Sequence, residues 1–150
     1  MRGLYIKPFD EVRGVINSPP SKSYTHRYLY LSLLCPGIKT INMPLKSRDT
    51  FYSFKAVKSF GARGTIYKLF SDGKLVPPLH PIYCGNSGTT ARFSISVASL
   101  APGLTIIDGS DKLRKRPMKP LLDALVSIGI KVNSNRGFLP VKIKGNLSKW

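Results

Sequence analysis

The segment Ser21 to Arg27, SKSYTHR, brings together side chains that can hold an anion. It precedes an apolar, helix-length run, so it predicts a helix start, where free backbone N–H groups and the positive dipole end face outward. Lys22 adds an ammonium group, and Ser23 adds a hydroxyl on the same helical face as Arg27. Such a set suits a phosphate or a carboxylate. Taken alone, the segment is better explained as an ordinary Ser-rich cap with two solvated cations, because short motifs match by chance.

A second helix start of the same kind is predicted at 85–92, GNSGTTAR. Its glycines allow a ligand to approach the backbone, and Asn86, Ser87 and Thr89 offer caps or direct hydrogen bonds. Arg92 follows on the first turn, either as a ligand for an anion or as a structural cation. Two such starts at matching positions of a repeat favour an anion site, because stacked repeats would aim both at one side.

A basic segment at 112–118, KLRKRPM, precedes a further predicted helix. Three of its cations are interpreted as a solvated face: Lys112, Arg114 and Lys115. Arg116 differs because Pro117 suits the first helical position, which would place Arg116 at an N-terminus where the dipole disfavours a cation. A bound anion would remove that conflict. Lys22, Arg27 and Arg116 would then flank one shared pocket.

An internal repeat positions these segments. The stretch SYTHRYLYLSLLCPGIKTI resembles GTTARFSISVASLAPGLTII, and Arg27 matches Arg92 while Gly61 matches Gly129. Each copy runs through a small polar cluster, an Arg, an apolar helix, a Pro-Gly stop, a strand, a second helix and a hairpin. A duplicated unit of this size predicts a modular architecture.

The first helix of copy one is predicted at 22–34 and is expected to be buried, because this run is apolar nearly all round. The other elements predicted for copy one are a strand at 39–42, a helix capped by Asp49 with Phe51, Phe54 and Phe60 in the core, a strand at 65–70 and a turn at 71–73. Those of copy two are helices at about 87–100 and 117–128, strands at 105–107, 130–133 and 139–144, and a turn at 135–137.

Composition limits the classes of protein that the chain can belong to. The 150 residues are 42% hydrophobic and carry a net charge of +17, so we expect a folded domain with anionic partners. Cys35 and Cys84 are expected to be reduced, packed thiols of a cytoplasmic protein, since the N-terminus lacks the apolar core of a signal peptide. The apolar run 28–35 is far too short to span a bilayer. No His/Cys cluster has zinc spacing, and His26 is expected to be packed or hydrogen-bonded.

At these residues the sequence resembles the 5-enolpyruvylshikimate-3-phosphate (EPSP) synthase family. The matching stretches, in family order, are PPSKSYTHR (19–27), SRDT (47–50), YCGNSGTTARF (83–93), DGSDKLRKRPM (108–118) and PLLDAL (120–125). The resemblance implies an α/β fold of inside-out enolpyruvyl transferase globules, each with three βαβαββ units, buried helices and outer sheets. It also implies transfer of the enolpyruvyl group of phosphoenolpyruvate to the 5-hydroxyl of shikimate 3-phosphate, by addition and elimination, in the shikimate pathway. The family uses neither a metal nor an organic cofactor.

The resemblance also implies roles for individual residues. Lys22 would contact both substrates, and Ser23 and Arg27 would hold shikimate 3-phosphate. The phosphoenolpyruvate pocket would be formed by Asn86, Gly88, Thr89 and Arg116. Asp49 and Arg92 would support these side chains or arrange the domain. Ser87 stands where many family members carry Ala, which adds a hydroxyl beside the pocket.

The domain organisation follows from the same resemblance. Residues 1–16 would be a strand segment of the other globule, and 17–150 the first two units of the N-terminal globule, with copy one at about 21–80 and copy two at about 83–145. The third unit and the second globule would be absent, as in a truncated protein. The family's proton-transfer carboxylates and Lys also lie beyond residue 150, so we expect the chain to be inactive alone. Its partners would be the two substrates and the rest of the enzyme, with no membrane.

Three alternatives remain. One is the related enolpyruvyl transferase that acts on UDP-N-acetylglucosamine, which the pattern SKSxxxR at 21–27 disfavours because that enzyme's segment resembles KNAAL and lacks this arginine. Another is a basic, non-catalytic module that binds nucleic acid, motivated by the charge of +17. Nucleic acid is not expected as a partner, since the aromatic residues are not interleaved with Lys and Arg as in a stacking platform. The third is an inert folding unit that binds little.

Overall fold

The structure, a computed structural model, describes residues 3–8 and 10–145. Within these ranges the helices are α1 (Lys22–Leu34), α2 (Arg48–Ser59), α3 (Gly88–Leu100), α4 (Asp111–Arg114) and α5 (Lys119–Ser127). The strands are β1 (Gly37–Thr40), β2 (Arg63–Gly64), β3 (Lys68–Ser71), β4 (Ile82–Tyr83), β5 (Gly103–Asp108), β6 (Lys131–Asn135) and β7 (Phe138–Gly145). None of the helices in this part of the chain has the length and apolar character needed to cross a membrane.

The fold contains two sheets, and three strands of the second sheet have the same order as the three strands of the first. The first has the order β1-β3-β2 and is antiparallel, and the second has the order β4-β5-β7-β6. In the second sheet β5, β7 and β6 pair antiparallel as β1, β3 and β2 do, while β4 adds a parallel edge beside β5. The α/β fold class with repeated units is therefore confirmed.

The two copies differ at their first strand. Copy two contains β4, α3, β5, α5, β6 and β7, which is the order βαβαββ, with the single-turn α4 added. Copy one contains only α1, β1, α2, β2 and β3. Because Arg27 matches Arg92, the residues that match β4 are 17 and 18. The described residues 3–8 and 10–19 are exposed and form no strand within this chain. The assignment of residues 1–16 to a strand segment of the other globule stays a prediction.

Serine starts each of the three longer helices. The hydroxyls of Ser21, Ser47 and Ser87 accept hydrogen bonds from the N–H groups three residues later, at 3.2–3.3 Å. Such N-caps satisfy one of the free donors of a helix start. In α2 the Thr50 hydroxyl also accepts from the Ser47 N–H, which completes a capping box. The cap of α2 is therefore Ser47, and the prediction that Asp49 caps it is wrong.

The hydrophobic core lies between the helices and the sheets. It includes Leu29 and Leu33 of α1, Ile95 of α3 and Ile107 of β5, all fully buried. The buried stripe of α2 is Thr50, Ser53, Ala56 and Val57, and the C-cap Phe60 continues it at helical spacing. Phe54 lies partly buried beside this stripe. Phe51 lies off it and is 49% exposed, so its predicted place in the core is wrong.

One face of α1 is open, although the whole helix was expected to be buried. Leu31 is 55% exposed and Tyr28 53% exposed. Leu31 and Leu34 line a groove of about 390 Å³ together with Phe93 and Val97 of α3. We call this the α1–α3 groove. The cysteines also differ from expectation, since Cys84 is buried but Cys35 is exposed; both are free.

The start of β1 and the hairpin of copy one lie at other residues than predicted, because the chain turns at other positions. β1 starts at Gly37, whose φ of 96° turns the chain directly after α1. The hairpin of copy one turns at 65–67, because Thr65 and Lys68 exchange backbone hydrogen bonds of 2.9 and 3.2 Å. The predicted turn residue Asp72 instead accepts a hydrogen bond from the Lys74 N–H. The first helix of copy two and the turn at 135–137 lie where predicted.

Truncation of Leu33 tests the core. Leu33→Ala should lower the free energy of unfolding by about 2–5 kcal/mol, because the side chain is fully buried and its loss leaves a cavity. Leu31→Ala, the same change on the exposed face of the same helix, should change it by less than about 0.5 kcal/mol. Denaturant unfolding followed by circular dichroism measures both. Equal losses in the two variants would contradict this assignment of faces.

Candidate anion-binding site

The N-terminal turns of α1, α2 and α3 meet in one region. Lys22, in the first turn of α1, places its Nζ 3.2 Å from Oδ2 of Asp49, in the first turn of α2. The backbone carbonyl of Asp49 accepts a hydrogen bond of 3.2 Å from the hydroxyl of Thr90, in the first turn of α3. The positive ends of three helix dipoles therefore lie close together.

The ion pair of Lys22 and Asp49 orients the Lys22 ammonium group but adds little to the stability of the fold. The side chains are 53% and 33% exposed, respectively, and such a surface pair contributes about 0–1 kcal/mol. Its effect is to hold the ammonium group beside the start of α2. The predicted supporting role of Asp49 has this contact in its favour.

Two guanidinium groups flank the first residue of α3. A methyl group added at Gly88 would lie 2.9 Å from Nη1 of Arg92 and 3.3 Å from Nη1 of Arg116. Arg92 Nη2 also donates to the carbonyl of Pro117 at 3.2 Å, which ties α3 to the segment that carries Arg116. The absence of a side chain at Gly88 therefore leaves room for both guanidinium groups, and two cations lie beside the first residue of α3.

Arg116 reaches this position in a different way from the one predicted. Pro117 is not the first residue of α5, because the helix starts at Lys119 with Met118 as its N-cap and Pro120 in the first turn. Arg116 therefore does not stand at the start of its own helix, and the predicted conflict with that dipole does not arise. Its guanidinium lies instead at the start of α3.

Arg114 is a structural residue, although a solvated role was expected. Its Nε and Nη2 donate to the two carboxylate oxygens of Asp108 at 2.9 and 2.6 Å, and Nη1 lies 3.4 Å from Asp111. This bidentate pair lowers the pKa of Asp108. Asp108 ends β5, so the pair fixes the basic segment to the sheet. Lys112 and Lys115 are exposed as predicted.

The remaining predicted site residues are exposed around this junction. Ser23 lies in the first turn of α1, and Asn86 and Thr89 lie on either side of the α3 cap. The guanidinium of Arg27 lies 5.9 Å from the ring centroid of Tyr24 and lines the α1–α3 groove. Within the described residues Arg27 makes no ion pair and no side-chain hydrogen bond. The structure thus groups Lys22 with Asp49 and groups Arg92 and Arg116 at Gly88, while Arg27 lies on the groove side.

Sequence reasoning missed a buried polar network beneath the junction. The hydroxyls of Ser53 and Thr90 lie 2.8 Å apart, and Nδ1 of His26 lies 2.7 Å from the Ser53 hydroxyl. The Tyr30 hydroxyl joins the network by donating to the carbonyl of Thr90 at 3.2 Å and lies 2.7 Å from the Ser94 hydroxyl. A signal was present, since Ser53 interrupts the apolar stripe of α2 and a buried hydroxyl requires a partner.

Burial sets the ionisation of the groups in and near this network. The pKa of His26 is lowered, chiefly because the imidazole is desolvated; Asp49 opposes this shift and Lys22 adds to it. Burial also raises the pKa of Tyr30 and raises that of Cys84 to about 12. The network is therefore neutral near pH 7, while the cations stand at the surface above it.

The junction has the chemistry of an anion site. It offers helix N–H groups, an ammonium group and two or more guanidinium groups, which suit phosphate and carboxylate. Among the described residues no group of three or more His, Cys, Asp or Glu could hold a metal ion.

Comparisons with known proteins agree on one family. The family model described as EPSP synthase (3-phosphoshikimate 1-carboxyvinyltransferase) matches residues 6–149. The 3-phosphoshikimate 1-carboxyvinyltransferase of Thermococcus kodakarensis is 47% identical over 148 residues, which are 95% of this chain and 35% of that protein. The enzyme of the same name from Methanothermobacter thermautotrophicus is 41% identical over 150 residues, 96% of this chain and 36% of that protein.

A solved structure shows the same fold. The chain superposes on EPSP synthase from Acinetobacter baumannii with a TM-score of 0.81 and 25% identity, over 89% of this chain and 32% of that one. The chain thus spans about a third of the length of the curated relatives it matches.

The stability of the chain should fall as the pH drops below 6.5, the ordinary pKa of histidine. Below this value the unfolded chain binds a proton at position 26 while folded His26, with its lowered pKa, does not, so protonation lowers the free energy of the unfolded state relative to the folded state. His26→Asn should remove this part of the pH dependence. Thermal unfolding between pH 5 and 8 measures it, with His80→Asn, a change at an exposed histidine, as the matched control. A steeper loss at low pH in His26→Asn than in wild type would contradict the assignment.

Proposed function

The chain belongs to the EPSP synthase family, and on that premise we propose that it carries part of the substrate-binding site of 3-phosphoshikimate 1-carboxyvinyltransferase. This enzyme transfers the enolpyruvyl group of phosphoenolpyruvate to the 5-hydroxyl of shikimate 3-phosphate. The observation that carries the proposal is the junction of three helix starts, where Lys22 stands at Asp49 and Arg116 stands at Gly88. Both substrates are polyanions, which such a junction suits.

The proposed division of the site follows the two groups of cations. Arg116, together with Asn86, Gly88 and Thr89, would bind phosphoenolpyruvate at the start of α3. Ser23 and Arg27 would bind shikimate 3-phosphate on the α1 side. Lys22 of α1 contacts Asp49 of α2, and Asp49 in turn contacts Thr90 of α3. Lys22 is therefore linked to the phosphoenolpyruvate side as well as to the shikimate 3-phosphate side, which supports a role toward both substrates. Asp49 and Arg92 would position these groups.

The contribution of these residues to the reaction is binding and orientation. Two substrates that each carry a phosphate and a carboxylate repel one another, and cations between them offset this repulsion. Holding the 5-hydroxyl against the enolpyruvyl carbon removes much of the entropic barrier of a two-substrate step. Cations fixed before the substrates arrive also stabilise charge without reorganising. The groups that move protons in the addition and the elimination would come from the rest of the enzyme.

The proposal includes the organisation of the complete protein. Residues 17–150 would be two units of a three-unit globule, and residues 1–16 would join the other globule. The α1–α3 groove supports this division, because it exposes Leu31 and Leu34 of a helix whose opposite face is core. A third unit would cover it. Free rather than paired cysteines agree with a cytoplasmic location.

A second candidate function, binding of nucleic acid, has one observation in its favour. Cations lie over three aromatic rings of copy one. The ammonium groups of Lys46, Lys55 and Lys58 lie 4.7–5.6 Å from the ring centroids of Tyr67, Phe51 and Phe54. Salt-sensitive binding of random DNA, with no response to shikimate 3-phosphate, would favour this function over the transferase.

Removal of either central cation should abolish most of the activity of the full-length enzyme. Lys22→Ala and Arg116→Ala should each lower kcat/KM by about 10²–10³-fold, because each removes a fixed charge from the site. Phosphate release from the two substrates measures this. Lys112→Ala, in the same basic segment as Arg116 but solvated, is the control and should remain near wild type. Activity of the Lys22 and Arg116 variants equal to that of the control would refute the proposed function. The 150-residue chain alone should release no phosphate.

Arg27→Ala should weaken the binding of one substrate more than the other. We expect the dissociation constant for shikimate 3-phosphate to rise by about 10- to 100-fold, the cost of losing a charged hydrogen bond of about 1.5–3 kcal/mol. The KM for phosphoenolpyruvate should change much less. Calorimetric titration with shikimate 3-phosphate measures the first quantity. An unchanged dissociation constant would count against this role of Arg27.

A further inference from the structure

His26 is buried in the polar network, and only one of its two ring nitrogens has a hydrogen-bond partner among the described residues. The residue is 1% exposed. Its Nδ1 lies 2.7 Å from the hydroxyl of Ser53, whereas its Nε2 is buried and has no hydrogen-bond partner among the described residues. An N–H at Nε2 would therefore be a buried donor without an acceptor, which is costly.

The protons of the hydroxyl groups fix the direction of the network. Thr90 has a single hydroxyl proton, and its contact of 3.2 Å with the Asp49 carbonyl uses that proton, because a carbonyl oxygen can only accept. The contact of 2.8 Å between Ser53 and Thr90 must then use the proton of Ser53. Ser53 has no second proton to give. In this arrangement His26 donates to Ser53 from a protonated Nδ1, and its Nε2 carries no proton.

The hydrogen bonds of this network close a ring around the candidate site. With this direction of donation, His26 of α1 donates to Ser53 of α2, Ser53 donates to Thr90 of α3, and Thr90 donates to the carbonyl of Asp49 at the start of α2. The carboxylate of Asp49 holds Lys22, one turn before His26 on α1. The ring thus joins the first turns of the three helices whose starts carry the candidate anion-binding groups.

We propose that His26, as the neutral Nδ1–H tautomer, is a positioning residue that sets the distance between the Lys22 side of the site and the Gly88 side. This rests on the proposed function, because it assigns to the network the spacing of the two substrate-binding groups. His26 touches neither substrate. Its effect is exerted through Ser53 and Thr90, since a shift of about 1 Å in a positioned group can cost about 10²-fold in rate.

Nuclear magnetic resonance tests the tautomer directly. Long-range proton–nitrogen correlation spectra of the 150-residue chain, with His26→Asn used to assign the signals, distinguish a protonated Nδ1 from a protonated Nε2. We expect the Nδ1–H form near pH 7, and Ser53→Ala should reduce its population. A predominant Nε2–H form in wild type would overturn the proposal.

Substrate binding by the full-length enzyme tests the positioning role. Ser53→Ala and His26→Leu should each raise the KM for phosphoenolpyruvate and the dissociation constant for shikimate 3-phosphate by about 10- to 100-fold. His26→Asn should stay within about threefold of wild type, because the amide N–H of Asn can donate to Ser53 in place of Nδ1–H. Ser59→Ala is the matched control, since the Ser59 hydroxyl donates to the backbone carbonyl of Lys55 on the exposed side of the same helix.

The outcomes separate this proposal from the proposed function. Wild-type enzyme that binds neither substrate would overturn both. Wild-type enzyme that binds both substrates, with Ser53→Ala binding as tightly as Ser59→Ala, would overturn the role of His26 alone. If His26→Leu fails to fold, the comparison of substrate binding by Ser53→Ala and Ser59→Ala still tests the role of His26, because Ser53→Ala removes one hydroxyl and leaves the imidazole in place. Equal losses in His26→Asn and His26→Leu would show that His26 acts through its volume and would also overturn the proposal.

Discussion

Three helices start at one place in this molecule, and each brings the positive end of its dipole there. Lys22, Arg92 and Arg116 add full charges to the same region. Such an arrangement repels itself, so something must hold the helix starts together in the absence of an anion. The carboxylate of Asp49 offsets part of the charge, and its carbonyl ties α2 to α3. The rest of the restraint is neutral and buried.

A neutral network suits this task better than further ion pairs would. Buried charges lose hydration, and their mutual attraction repays that loss only with good geometry. The hydroxyls of Ser53 and Thr90 make directed contacts of 2.7–3.2 Å without adding charge. Since hydrogen bonds are stronger and unpaired polar groups costlier in a low dielectric, such a network favours a single arrangement of the helices. It adds no counter-charge to the cations at the surface, which therefore remain available to a ligand.

The parts of the site that could be predicted are those encoded by neighbours in sequence. Ser21 and Ser87 were recognisable as helix starts because a cap and its partner lie three residues apart. The repeat supplied the order of the elements, and the resemblance supplied the roles. Contacts between distant residues could not be derived in this way. A run of charges predicts a solvated face for Arg114, and nothing local to this run indicates its partner Asp108 at the end of β5. The sequence likewise places Arg116 at the start of its own helix, whereas its guanidinium lies at the start of α3. The open face of α1 could not be predicted, because an apolar helix face has the same sequence pattern whether or not another element packs against it.

The position of the cations and the strength with which they act have different origins. Position is set within this chain, by the helix caps, the Asp108–Arg114 pair and the buried network. Strength depends on the dielectric: two unit charges 4 Å apart interact by about 1 kcal/mol in water and by about 4 kcal/mol at the effective dielectric of a protein surface. Lys22 is 53% exposed here, so its field is largely screened. Any cover that excludes water from this junction would therefore strengthen every cation in it together, without moving one of them.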